Sequence, residues 1–347
     1  MATSTRSPHA TESPSASRLT LAWVGGVAAL VLLLLAGLAF GAVPLPLGEV
    51  LDALRGSADG TTTSIVRDLR APRVMLAALV GAGLAMSGGA LQGTLHNPLA
   101  EPYLLGVSGG AAVGAVLAMA LVGPSMGAAT PLLITGSAFA GAALATLVVT
   151  GIAQLAGGRG DAKLLIMAGV IVGAFANAVI MVALADAPPE RIRGAVWWMM
   201  GSVADANWGT VARTALALAL LGAVLLYKAR DLDVIALGHE PARALGVDSE
   251  RAGRVIFLVA SWLAAATVAA AGLVGFVGLV VPNLARLLGA RRHRPMMALA
   301  ALYGAALLVA ADLAARTLRA PVELPLGALT ALVGVPFFLS RLRRGGS

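Results

Sequence analysis

Arg70–Gly110 reads RAPRVMLAALVGAGLAMSGGALQGTLHNPLAEPYLLGVSGG. Two arginines bracket Ala71 and Pro72, and an apolar run rich in Gly and Ala follows. A polar knot, HNPLAEP, spans His96 to Pro102, and a second apolar run begins after it. No charge lies between Arg73 and Glu101, and none between Glu101 and Arg159. Soluble domains carry about 25% charged residues. This stretch therefore describes two membrane spans joined by a tight, proline-pinned turn, with arginines at one mouth.

The rest of the 347 residues agrees. The chain is 59% hydrophobic and 12% charged, and its mean hydropathy is +0.88. That leaves too little polar surface to coat a soluble particle. The formal charge of +8 would suggest nucleic acid in a soluble protein. In a membrane protein the basic residues sit at span ends and hold orientation, so no nucleic-acid partner is implied. With no cysteine, disulfides, thiolate catalysis and Cys-ligated metals are excluded. Residues 1–18 are rich in Ser, Thr, Pro and Ala and read as a disordered tail. The uncharged run from Leu19 to Val43 exceeds a signal-peptide core and reads as an uncleaved first span.

A span needs roughly 20 apolar residues. Candidates are 20–42, 71–93, 104–123, 130–156, 163–185, 209–229, 253–272, a shorter Pro282-kinked piece at 276–289, 296–315 and 326–341. Gly123-Pro124-Ser125 and Gly272–Gly275 mark the breaks within runs too long for one helix. The fold class is thus an all-α polytopic membrane protein of about ten transmembrane helices, residues 19–344, with both termini on one side. Setting the termini inside puts the larger basic set inside, including Lys228, Arg243, Arg286, Arg291, Arg292 and Arg294. Arg55, Arg67, Arg70, Arg73, Arg191, Arg193, Arg316 and Arg319 then lie outside, against the trend. An acidic partner docking there would explain them.

Glycines such as Gly81, Gly88, Gly110, Gly114 and Gly173 let helices approach closely in lipid. One connection stands apart. Residues 230–252 read RDLDVIALGHEPARALGVDSERA. Asp233 can begin a short helix that Gly238 ends; Pro241 suits the first turn of another, and Gly246 its stop. Asp248 or Ser249 can cap the next span. Two short amphipathic helices in a 230–250 loop form a docking surface on the cytoplasmic side.

These blocks together resemble the permease subunits of iron-siderophore, haem and vitamin B12 ABC importers, the FecCD-type permeases. The resemblance is carried by RAPR at Arg70–Arg73, LQG at Leu91–Gly93, NPLAEP at Asn97–Pro102 and LGVSGGA after Leu104. It is carried too by Trp198–Ser202 with Trp208, by ALGHEPARALGV at Ala236–Val247, by GFVGLVVPNLARLLG at Gly275–Gly289 and by Ala311–Phe338. It implies a dimer of permease subunits, copies or paralogues, enclosing a path for an iron-siderophore complex, haem or cobalamin. It implies a cytoplasmic ABC ATPase seated on Gly238, Glu240, Ala242, Arg243, Leu245 and Gly246. It implies an extracytoplasmic substrate-binding protein meeting Arg70, Arg73 and Arg316, and a gate at Asn97 and Leu99. The location implied is the plasma membrane. Asn283 stands where the family often has histidine, which leaves packing or hydrogen bonding but no imidazole titration.

The residues also limit other classes. There is no phosphate-binding G-x-x-x-x-G-K-[ST] loop, so a partner hydrolyses any ATP. No cofactor is expected. Four scattered histidines argue against a metal site. Ion-coupled transporters keep ionisable groups near the midplane, and no midspan carboxylate is evident. Asp312 lies in a span one turn before Arg316, in the favourable order for an ion pair. Trp197, Trp198 and Trp208 suit either an interfacial belt or the lip of a path.

Overall fold

A computed structural model describes residues 16–41, 43–121, 130–157 and 162–345. Most of the 1–18 tail and the Gly123–Ser125 break lie outside the described residues; Ser17 and Arg18 already belong to the first helix. Among the described residues the chain is helical throughout: α1 (Ala16–Ala39), α2 (Leu47–Arg55), α3 (Gly60–Ser64), α4 (Ala71–Thr94), α5 (Val107–Leu121), α6 (Thr130–Leu155), α7 (Ala162–Leu184), α8 (Pro189–Met200), α9 (Trp208–Ile235), α10 (His239–Ala244), α11 (Ser249–Ala271), α12 (Val277–Leu287), α13 (His293–Thr317) and α14 (Leu326–Gly345). Seven are long and apolar enough to cross a membrane; α5, α12 and α14 are shorter apolar helices. Each expected span corresponds to one of these ten.

α4 is the axis. It is apolar around its circumference, which marks a helix meant for burial. From Val74 to Gln92 most of its residues are buried. It packs on α13, α11, α9 and α12. Close approach explains its glycines. A Cβ on Gly81 would lie 2.1 Å from the carbonyl of Gly304 in α13, and one on Gly88 would lie 2.0 Å from that of Gly278 in α12. The α5–α6 pair repeats the device, with Gly110 against Gly141 and Gly114 against Ser137. Gly173 departs from the expectation: a Cβ there meets nothing within 4 Å.

Two prolines would leave backbone acceptors idle, and side chains fill the gaps. Pro72 opens α4 after a wide-turn segment, Ile65–Arg70, which ends with Ala71 N–H reaching five residues back to Val66 O. Pro72 has no N–H. The carbonyl of Arg67, five residues earlier, instead takes the indole Nε1 of Trp208 at 3.0 Å. Pro282 lies inside α12. The carbonyl of Gly278, four residues before it, takes Gln92 Nε2 at 3.1 Å.

The 230–252 connection differs from its reading. α9 continues to Ile235, so Asp233 lies in its last turn rather than starting a helix, and α10 is the single short helix. Gly238 precedes α10 with φ 103°, and Gly246 stops it at φ 76°. Asp248 caps α11 by accepting Arg251 N–H at 3.1 Å.

Packing at Gly81 generates a direct test. Gly81→Ala forces α4 and α13 apart and costs about 1–3 kcal/mol, as overpacking does. Gly173→Ala, with open space around it inside α7, is expected to raise stability by roughly 0.4–1 kcal/mol. Thermal melts of the two detergent-purified variants measure the contrast; equal melts would deny the close approach.

Candidate functional site

The two ends of the bundle carry different chemistry. At the α10 end, the connection after α4 does not simply turn. His96 takes φ 47°. The Asn97 side chain accepts Leu99 N–H at 2.9 Å, an Asx turn that bends the chain before it re-enters. The carboxamide therefore serves its own turn, while Leu99 stays 40% exposed. The chain then climbs back among the helices. Pro102 Cδ would meet a Cβ on Gly278 at 3.2 Å, and Leu104 O one on Gly169 at 2.5 Å. Gly278 faces Gly88, six residues before the end of α4, a depth of about 9 Å.

Side chains fasten this re-entrant turn to α12 at two points. Asn283 Nδ2 donates to Pro98 O at 3.1 Å and to Leu279 O at 2.8 Å. The Glu101 carboxyl accepts Phe276 N–H, just ahead of α12. Arg286 joins them to α4, donating to Gln92 Oε1 at 2.7 Å and to Asn283 Oδ1 at 3.2 Å. Asn283 thus has the hydrogen-bonding part left open by its replacement of histidine. Glu101 belongs to the connection, not to a spanning helix, and burial pushes its carboxyl up to about 7 against the opposing pull of Phe276 N–H. The expectation that no carboxylate sits midspan is unaffected, since Glu101 lies in the connection between α4 and α5.

Nearby, α10 presents Glu240, Arg243, Leu245 and Gly246 outward, with Leu245 62% exposed. Ala242 is fully buried and anchors the loop from beneath, so it offers no outer surface. Asp233 Oδ1 accepts both the backbone N–H of His293, at 2.9 Å, and its Nδ1, at 2.7 Å. That bond ties the end of α9, just before α10, to the start of α13. Among the described residues no cluster suits a metal ion.

At the opposite end, the three expected docking arginines face inward. Arg70 donates to the carbonyls of Leu38 and Ala39, both at 2.8 Å, and of Val43. Arg316 donates to Gly37 O at 2.7 Å. The carbonyls of Gly37, Leu38 and Ala39 end α1, where acceptors lack helical partners and positive charge is favoured. Arg73 grips Glu323 with both terminal nitrogens, at 2.6 and 3.0 Å, and Asp312 at 2.8 Å. Asp312 therefore pairs first with Arg73; its approach to Arg316 is 3.5 Å. Arg70 and Arg316 are each 7% exposed, whereas the Glu323 side chain is 39% exposed. Docking through these arginines requires exchange of an internal partner.

The same end opens two hollows. One, of about 680 Å³, is lined by Met119, Trp197, Trp198, Asp205, Asn207 and Glu323. The other, of about 570 Å³, runs between α8 and the chain before α14, past Arg193, Trp197 and Arg319. Trp198 and Gly201 are knitted to neighbouring turns: Ser202 N–H donates to Ala271 O at 2.8 Å and Leu326 N–H to Gly201 O at 3.2 Å. Trp197 lines both hollows, and Trp208 donates to Arg67 O.

Sequence reasoning found the turn, the arginines and the α10 loop. It missed Gln92, Glu101, Phe276 and Arg286 as a connected set. The available signal was Pro282, whose missing N–H demanded a donor from another helix.

Known proteins agree with this architecture. The model of the FecCD transport family matches residues 29–344. The chain is 44% identical over 284 residues to the cobalamin import permease BtuC of Halobacterium salinarum, covering 82% of this chain and 74% of that one. It is 40% identical to the hemin transport permease HmuU of Yersinia pestis, covering 78% and 81%. It is 35% identical to the iron(3+)-hydroxamate import permease FhuB of Bacillus subtilis, covering 93% and 85%. A structure described as an inward-facing metal-chelate-type ABC transporter superposes with a TM-score of 0.80 at 28% identity, covering 94% of this chain and 99% of that one. With ten apolar helices among the described residues and a re-entrant turn between two of them, this chain belongs to the FecCD transport family, the permeases of ABC importers.

Proposed function

We propose that this chain is the non-catalytic permease subunit of an importer for a bulky metal chelate, a ferric siderophore, with haem and cobalamin as alternative cargoes of the same architecture. The observation that carries the reading is the contrast between the bundle's ends. One end offers an exposed, glycine-bounded helix beside a re-entrant turn, and the other offers wide hollows ringed by arginine and tryptophan. The α10 end is cytoplasmic in this reading, as are both termini, in accord with the larger basic set there. Glu240, Arg243, Leu245, Gly238 and Gly246 meet the ATPase, with Ala242 holding the loop beneath. A second permease subunit completes the path, and Asn97 and Leu99 gate its inner end. Related permeases named for hydroxamate, hemin and cobalamin import support the chelate class.

Cargo is settled by reconstituting the permease with its ATPase and binding protein and offering each chelate in turn. Accumulation of the ferric siderophore alone is expected; accumulation of haem or cobalamin alone moves the cargo to that alternative.

Coupling is tested at α10. Leu245→Asp places a charge on the exposed apolar contact and is expected to abolish ATPase co-purification and uptake, with the permease still folded in the membrane. Normal association and uptake in that variant remove the loop from the mechanism.

Docking is tested at Arg73, whose partner Glu323 is the most exposed of the set. Arg73→Gln is expected to weaken association with the binding protein by roughly 0.2–1 kcal/mol and to flatten its salt dependence. Glu323→Gln removes the charge of one of Arg73's two internal partners, leaving Asp312, and is expected to strengthen association. Indifference to both changes rules Arg73 out as a docking residue.

A further inference from the structure

Glu101 stands apart in the bundle. It is 8% exposed, and its carboxyl accepts Phe276 N–H. Phe276 is a non-glycine residue in the left-handed region, at φ 67° and ψ −18°. A residue with a side chain adopts that backbone only when its surroundings hold it there. Its ring packs on Gly334 of α14, and its N–H on Glu101. The peptide at Phe276 sets the direction in which α12 leaves the 272–275 connection. Glu101 therefore holds the head of α12, while Asn283 holds its middle to Pro98 O. The re-entrant turn and α12 are clasped at both points.

The clasp is unlike a neutral one. The pieces packed on it contribute no ionisable side chain: Leu84–Gly88 of α4, the 272–275 connection, and Val277–Gly278 of α12. Arg286 is ten residues beyond Phe276, about 15 Å along the helix axis. The titratable neighbour is Tyr103 on the same turn, itself held well above its ordinary value by burial and by the charge of Glu101. Nothing nearby neutralises an ionised Glu101 except the N–H groups at the start of α12, which favour negative charge. The carboxylate grips that helix end more firmly than the neutral acid does.

We propose that Glu101 is a positioning residue that latches the Asn97–Leu99 turn to the head of α12, and that it is the group through which pH acts on that turn. The latch rests on the reading of the turn as a gate. Burial opposes the charged carboxyl, but within the buried site the Phe276 N–H favours it, so ionised Glu101 holds the turn to α12 and protonated Glu101, still buried, lets that bond go more readily. The surrounding burial places the crossover at about 7.

The test uses the full transporter, with ATPase and binding protein, labelled with spin probes at residue 99 of both permease subunits. In the wild type the label distance is expected to change with nucleotide, and its distribution to broaden between about pH 8.5 and about pH 5.5. Glu101→Gln is expected to stay broad at both values and to lose the pH dependence of uptake. Glu101→Asp, which keeps the carboxyl, is expected to restore part of that dependence. Stability gives a second readout. A carboxyl raised in the fold from 4.5 to about 7 makes the wild type lose stability as pH rises through that interval. Glu101→Gln should melt at a temperature that does not fall across it. A wild-type distance indifferent to nucleotide overturns the gate reading, and the latch with it. A distance that responds to nucleotide, with Glu101→Gln matching the wild type at both pH values, overturns the latch alone.

Discussion

In a bundle this apolar, every backbone N–H and C=O has to find a partner without help from water, and the structure is organised around the places where a helix fails to supply one. Pro282 leaves Gly278 O free, and Gln92 reaches across from α4 to fill it. Pro72 leaves Arg67 O free, and Trp208 reaches across from α9. α1 ends with its last carbonyls exposed to the bundle, and Arg70 and Arg316 take them. Each repair comes from a different helix, so each also fixes how two helices sit together. Local breaks in helical bonding thereby become the long-range fasteners of the fold.

The re-entrant turn is the most consequential break. Its backbone enters the depth of the bundle, which irregular chain tolerates only when protein surrounds it. Glycine-lined approaches at Gly88, Gly169 and Gly278 make the room. Asn283, Glu101 and Arg286 supply the partners. The same residues make α12 and the turn a single body, and a single body is what a gate needs if a push at one end is to appear at the other. α10 packs on α9 and α11, and Asp233 bonded to His293 ties its root to α13, which packs along α4. A route from α10 to the turn therefore runs through bonded, packed elements rather than through flexible loops.

The spans were legible because charge is so scarce. The uncharged stretch after Arg73 ends a helix near 93, and α4 ends at Thr94. The stretch from Lys163 begins another, and α7 begins at Ala162. Depth was not legible. Leu104 and Leu105 are apolar and read as the start of a span, whereas the chain there is still part of the turn and α5 begins at Val107. Hydropathy is blind to this, because a re-entrant turn and a helix start are equally apolar. The arginines were found as a set, but their partners were not. Nothing local in Gly37, Leu38 or Val43 signals that a guanidinium 27 or 32 residues away, or in Arg316 279 away, will end on them. Asp312 next to Arg316 offered a local pair, and Arg73 won because it reaches Asp312 with two nitrogens while also gripping Glu323.

The central claim is that the re-entrant turn and α12 move as one unit. It is tested most directly by paired distance measurements between labels at residues 99 and 287 of one permease subunit, both of them exposed positions. These would be taken alongside the residue 99 distance between subunits, with and without ATP in a transporting sample. The distance between subunits should change with nucleotide while the 99-to-287 distance stays fixed. A 99-to-287 distance that shifts across the cycle would mean that Glu101 and Asn283 do not hold the turn to α12, and would contradict the claim.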